Sequence, residues 1–194
     1  AERLQAVVLT DPVGKGAIPE DHPLCLGAAG MSQEVAARLA EESDLGLIVG
    51  SRLGAMETRS GSMPLPQRLL QIDPKSANIG RFYDVEQGLV GDVRQILDQI
   101  LARVSSGGRP SRAEEVAATR SRAMGQARER SAEMMRILED LRAGVGRQGI
   151  ISLDMTLPAY WASRYLDVYE PRTLLNPNYF MALGFAMPAA IGSH

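Results

Sequence analysis

The chain has 194 residues, 45% of them apolar and 23% charged, with 21 basic and 23 acidic side chains and a net charge of −2. This is the composition of a folded globular protein, and it excludes a wholly disordered chain and a disulfide-stapled miniprotein. The near-neutral balance supplies no basic field for nucleic acid, and no apolar run approaches the ~20 residues of a membrane span, so neither partner is expected. The single cysteine, Cys25, cannot form an internal disulfide, and the first residues, AERLQAVVLT, lack a signal-peptide layout. A reducing, cytoplasmic location is the expectation.

Ala6 to Leu9 is an unbroken apolar run that ends at Thr10-Asp11-Pro12. Met31 to Glu42 carries helical spacing in Met31, Val35, Ala36 and Leu39. Leu45 to Val49 is a second apolar run, ending at Gly50-Ser51, and Leu69 to Ile72 is a third, ending at Asp73-Pro74. Unalternated runs of this length predict strands buried on both faces, as in a parallel sheet. After Gly91, Asp92 and Gln95 form a capping-box pattern, and Val93, Ile96, Leu97, Ile100, Leu101 and Val104 supply one apolar helix face. Strand and helix in alternation predict an α/β domain with right-handed crossovers.

The stretch SSGGRPS, residues 105–111, has the composition of a linker between a segment of 1–104 and a segment of 112–194. The second segment opens with a predicted long helix from Arg112 to about Ala143, striped by Ala117, Met124, Ala127, Met134, Leu138 and Leu141. Its arginines (Arg120, Arg122, Arg128, Arg130) are interleaved with acids and read as a solvated face rather than an RNA surface. Gly144, Gly146 and Gly149 stop the helix. Ile150 to Leu153 reads as a strand ending in Asp154, Pro158 opens a helix through Leu166, and Arg172 to Leu175 reads as another strand. The closing LGFAMPAAIG is a small-residue stretch suited to close helix packing.

Ligands of open parallel sheets sit beyond the carboxyl ends of the strands. That rule singles out Gly50, Ser51, Arg52, Asp73 and Asp92. A glycine admits a phosphate close to the backbone, an arginine binds it through paired hydrogen bonds, and a strand-end aspartate accepts from ribose hydroxyls. Turn chemistry, capping and a surface ion pair explain the same residues equally well, and neither GxGxxG nor GxxxxGK[ST] is present. His22 reads as a loop residue and Cys25 as a small core residue. No pattern for a nucleophilic triad or a zinc site is found, so no catalytic residue and no metal ligand is assigned within the chain. The aromatic pairs Tyr160-Trp161 and Tyr179-Phe180 read as packing.

Four stretches, GKGAIPEDHPLCLGAAG (14–30), DLGLIVGSRL (44–53), LLQIDPKSANIG (69–80) and VGDVRQIL (90–97), resemble the central domain of thiamine diphosphate-dependent enzymes such as acetolactate synthases and 2-oxo acid decarboxylases. LGFAMPAAIG (183–192) is similar to the opening of their C-terminal, diphosphate-binding domain. DMTLPAY (154–160) followed by PRTLLNPNYFMALGFAMPAAIG is similar to the branch with 5-guanidino-2-oxopentanoate decarboxylase-like proteins. The resemblance implies a Rossmann-like parallel sheet flanked by helices over 1–104, lacking its first strand and helix, then a connecting helix and an incomplete second α/β segment over 112–194. It places Met181 and Leu183 against the cofactor's aminopyrimidine, with the large side chain at Leu183 holding the cofactor bent so that its amino group meets the thiazolium C2. It places Gly50, Ser51, Arg52, Asp73 and Asp92 where relatives hold FAD or ADP. The implied activity, for the complete protein, is decarboxylation of a small 2-oxo acid, with carboligation as an extension. The implied cofactors are thiamine diphosphate and Mg2+, and the implied assembly is a homo-oligomer. The glutamate-bearing PYR domain and the GDG...N stretch that binds magnesium and diphosphate are not in the chain, so these 194 residues alone are expected to be inactive. Two positions depart from the usual pattern: NPNYFMA replaces the Gly-rich approach to Leu183, and Leu157, Pro158 and Ala159 stand where polar residues often follow the strand-end aspartate. A non-catalytic nucleotide-binding or assembly module with the same central fold is the alternative.

Overall fold

The structure, a computed structural model, describes every residue except 30–32, Arg59, Ser106, Asn178, Tyr179 and His194, and except the side chains of Gln33, Met56 and Glu57. Met31, expected to begin a helix, and the aromatic Tyr179 therefore lie outside the described residues. In chain order the elements are β1 (Val8–Thr10), β2 (Cys25–Ala28), α1 (Gln33–Glu42), β3 (Gly46–Val49), α2 (Ala55–Thr58), β4 (Leu69–Asp73), β5 (Gln87–Val90), α3 (Val93–Arg103), α4 (Ala113–Arg130), α5 (Ala132–Val145), β6 (Ile151–Ser152), α6 (Leu157–Tyr165), β7 (Leu174–Leu175) and α7 (Ala186–Gly192). Among the described residues every strand pair is parallel, which is the α/β class expected from the sequence.

Two compact units form: Ser32–Gly108, and Ala1–Met31 together with Arg109–His194. Residues on either side of position 31, read from sequence as one segment of 1–104, belong to different units by contact. The reason lies in β2, all four of whose residues are buried. It pairs with β1, and α4 and α6 pack on it.

In the unit Ser32–Gly108 the sheet order is β3-β4-β5. The ladders run in register from Gly46↔Leu69 to Val49↔Ile72 and from Leu70↔Gln87 to Asp73↔Val90. Burial on both faces holds for the central strand β4, where Leu69, Gln71, Ile72 and Asp73 are all buried. It fails for the edge strand β3, whose Leu47 and Val49 are exposed. Sequence reading did not find β5, because Gln87-Gly88 has little strand propensity. Gly88 is there for close approach: a Cβ at that position would lie 2.3 Å from Ile79 Cγ2. The Asp92 cap forms as expected, its carboxylate accepting from Gln95 N at 2.9 Å to open α3.

In the other unit the expected long helix is two helices. Ser131 leaves helical geometry at φ −160° and ψ 98°, and its Oγ accepts from Met134 N at 3.2 Å, capping α5. A serine inside a helical pattern is a cap signal that a single continuous period obscures. The break also resets the apolar stripe. Val116, Thr119, Ala123 and Ala127 face inward on α4, while the expected Ala117 is exposed. Ala123 and Ala127 meet Met135 and Leu138 of α5, Ile151, Leu153, and Ala159, Ala162, Tyr165 and Leu166 in one core. Two of the four arginines read as a solvated face make specific contacts: the exposed Arg130 lies over Trp161 and Tyr165, and the half-buried Arg120 pairs with Asp167.

A buried ion pair joins distant parts of this unit. Lys15 Nζ lies 2.6 Å from Glu20 Oε1, with side chains 2% and 1% exposed. Glu20 Oε2 accepts from Val168 N at 2.7 Å, and Glu20 N donates to Val168 O at 3.0 Å. Nearby, Arg147 holds Asp21 bidentately at 2.5 and 3.2 Å while its guanidinium covers Tyr169 at 4.4 Å. Removing one member of a buried pair strands the other charge. Lys15→Met should therefore cost roughly 3–5 kcal/mol in urea denaturation. A loss under about 1 kcal/mol would show that the pair behaves as a solvated one.

Candidate functional site

Parallel pairing brings the carboxyl ends of β3, β4 and β5 level. Gly50 N donates to Ile72 O at 2.9 Å and Gly91 N to Asp73 O at 3.2 Å, which extends the ladders one step past the strands. Gly50, Ser51, Asp73 and Asp92 are thereby brought to one edge, with Arg52 next in the chain and exposed. Gly50 sits at φ +64°, and a Cβ there would meet nothing within 4 Å, so the backbone is open to an approaching group. Asp73 is only 3% exposed; its Oδ1 accepts from Lys75 N at 2.8 Å and Asn78 Nδ2 at 3.0 Å. It shapes the loop after β4, and Asp92 is likewise engaged as the α3 cap.

Sequence reading missed Gln71. Its buried amide donates to Ser51 O at 3.0 Å and Asn78 O at 3.1 Å and accepts from Gly80 N at 2.8 Å. One side chain thus fastens the loop after β3 to the loop after β4. The available signal was a polar residue inside an otherwise apolar strand run, LLQI.

Met181 and Leu183 belong to the other unit. Met181 takes φ +48°, and Leu183 is 82% exposed. Phe180, Met187 and Ile191 are exposed as well, and α7 has no buried residue among those described. Within these residues α7 rests on β6, the small residues Ala186 and Ala189 are half-buried, and Met187 and Ile191 are exposed. The segment is held by Asp154, a residue sequence reading noted only as a strand end. Its Oδ1 accepts from Met155 N at 2.8 Å and Gly184 N at 3.0 Å, and its Oδ2 from Ala186 N at 3.0 Å. The Ala186 N–H, followed by that of Met155, holds the carboxyl below the usual carboxylate range, with Gly184 adding to the same direction.

The remaining candidates have structural duties. Burial pushes the Cys25 thiol up, away from the reactive thiolate. His22 accepts from Leu24 N through Nδ1 at 3.1 Å, which leaves Nε2 to donate to Glu2 at 3.2 Å. Among the described residues no three His, Cys, Asp or Glu side chains come together as a metal site, and no helix is long and apolar enough to cross a membrane.

A family model for the thiamine pyrophosphate enzyme central domain matches residues 1–100. The chain belongs to the thiamine pyrophosphate enzymes. A second model, for the C-terminal TPP binding domain of these enzymes, matches residues 154–194 and so begins at Asp154. Over its full length the chain is 30% identical to a probable 2-ketoarginine decarboxylase of Pseudomonas aeruginosa, covering 35% of that protein. It is 29% identical over its full length to the acetolactate synthase large subunit of Corynebacterium glutamicum, covering 32% of it. It is 26% identical to a sulfoacetaldehyde acetyltransferase of Roseovarius nubinhibens, covering 37% of it. The chain thus spans about a third of the length of these curated relatives. In thiamine pyrophosphate enzyme terms, the sheet edge at Gly50–Asp92 lies in the central-domain match and the Asp154–Leu183 pair in the C-terminal one.

The Asp154 anchor has a defined pH response. Its folded pKa is depressed, so its contribution is full above the ordinary carboxylate pKa and is lost as pH falls through the depressed value. Amide exchange at Gly184 and Ala186 should stay slow at neutral pH and lose protection only under acid below the usual carboxylate range. Protection that does not change on acidification would remove Asp154 as the anchor.

Proposed function

We propose that the complete protein is a thiamine diphosphate- and Mg2+-dependent enzyme that decarboxylates a small 2-oxo acid, with carboligation as a further outcome. The observation that supports this most directly is the exposed apolar Leu183 held on a hydrogen-bonded mount beside the end of β6. The described residues fit part of the cofactor. A flat, half-apolar aminopyrimidine suits an exposed leucine with Met181 and Met187 close in sequence, and a large apolar side chain there keeps a bent cofactor in place. Bound thiamine diphosphate supplies the electron sink for loss of CO2. The chain's own contribution is to seat the ring, orient it and keep water from its apolar side. In this reading the diphosphate and Mg2+ are held by residues outside these 194.

The substrate follows as part of the same proposal. One relative is described as a 2-ketoarginine decarboxylase and another as an acetolactate synthase. A guanidino 2-oxo acid and pyruvate are therefore the two substrates to try first. A homo-oligomer and a cytoplasmic location complete the proposal. Titrating the full-length protein with thiamine diphosphate and Mg2+ should give saturable calorimetric binding and CO2 release from one of these acids. Absence of binding by the cofactor would refute the reading.

The sheet edge supports a second role within the same protein, holding FAD or ADP. The open backbone at Gly50 carries it, with Arg52 reaching the phosphates. If the cofactor titration is silent, the alternative of a non-catalytic nucleotide-binding module stands on this edge alone. Arg52→Ala should weaken ADP or FAD binding by roughly 1.5–3 kcal/mol, the range for a charge-assisted hydrogen bond. Unchanged affinity takes Arg52 out of the site.

A further inference from the structure

We infer that Asp154 is the positioning residue that fixes how far Leu183 projects toward the cofactor ring. The inference rests on the thiamine diphosphate reading above and adds to it a residue that touches neither cofactor nor substrate. Leu183 has almost no packing to hold it, being 82% exposed, and α7 beyond it contributes no buried side chain among the described residues. Within these residues α7 rests on β6, and the Asp154 carboxylate bonds the turn before it directly. One oxygen holds Gly184, the residue after Leu183, and the other holds Ala186, so the two bonds straddle the turn into α7 at 3.0 Å each. The third bond, from Met155 N at 2.8 Å, fixes the carboxylate to its own strand end. A carboxylate is needed because both oxygens must accept at once; an amide has a donor on one side and serves only one of the two. The depressed pKa agrees with this, since three donors favour the charged form. A side chain that meets a ring at the wrong height costs reactivity even when affinity survives, and a misplacement of about 1 Å costs on the order of 100-fold.

The test uses the full-length protein with D154A, D154N and L183A. Amide exchange at Gly184 and Ala186 is read against Ile151 and Leu166, hydrogen-bonded amides of the same unit, as internal references for folding. Deuterium exchange at the thiazolium C2 of the bound cofactor is read at saturating thiamine diphosphate and Mg2+. D154A should speed exchange of both amides at least tenfold, and D154N should release one more than the other, with the reference amides unchanged. C2 exchange should fall on the order of 100-fold in D154A, while the cofactor's Kd moves far less. L183A should slow C2 exchange and leave the two amides protected. Unchanged amides in D154A, or freed amides with full C2 exchange, would overturn the inference. Failure of the unsubstituted protein to bind the cofactor would instead refute the reading it rests on, while the amide rates still decide whether Asp154 is the anchor.

Discussion

A parallel strand ends with its next backbone N–H groups pointing past the sheet, where no neighbouring strand can accept them. This chain meets that constraint with aspartates. Asp11 follows β1 and accepts from Val13 N and Gly14 N at 3.1 and 2.5 Å. Asp73 ends β4, Asp92 follows β5, and Asp154 follows β6 by two residues, each accepting from backbone N–H groups just downstream. These are Asx-type turns and caps, and they convert flexible strand exits into fixed loops. Asp154 goes further, because it also reaches a segment some 30 residues away in sequence. The loops that face ligands in an α/β fold are the same loops that need this treatment. In such a fold, fixing these loops also preorganises the edge where ligands bind.

That dual use explains what was legible in the sequence and what was not. The apolar runs behind β1, β3 and β4 could be read because unalternated apolar runs bounded by turn residues mark parallel strands, and Asp92 with Gln95 could be read because a cap is local. The strand β2 was hidden because full burial beneath two helices favours Cys, Gly and Ala, which carry no strand propensity. The strand β5 was hidden because Gly88 answers to a contact with Ile79, a residue on another loop. Ser131 was visible as a residue type but was absorbed into a helical period that ran through it. Among candidate site residues, Gly50, Ser51, Asp73 and Asp92 could be placed together from the strand-end rule alone. Gln71 and Asp154 could not, since their significance lies in partners 7 to 32 positions away.

The two units carry two kinds of surface. The edge at Gly50 to Asp92 is polar, with an open glycine and a fastened pair of loops. The surface at Phe180 to Ile191 is apolar and exposed, and it is mounted by hydrogen bonds rather than by a core. The Asp154 mount explains how this surface keeps its shape.

A structure of the full-length protein with thiamine diphosphate and Mg2+ bound tests the central claim most directly. The expected result is an aminopyrimidine ring in van der Waals contact with Leu183, with the Asp154 carboxylate still bonded to Gly184 and Ala186. A ring seated elsewhere, or a Leu183 segment detached from Asp154 while the ring is bound, would contradict it.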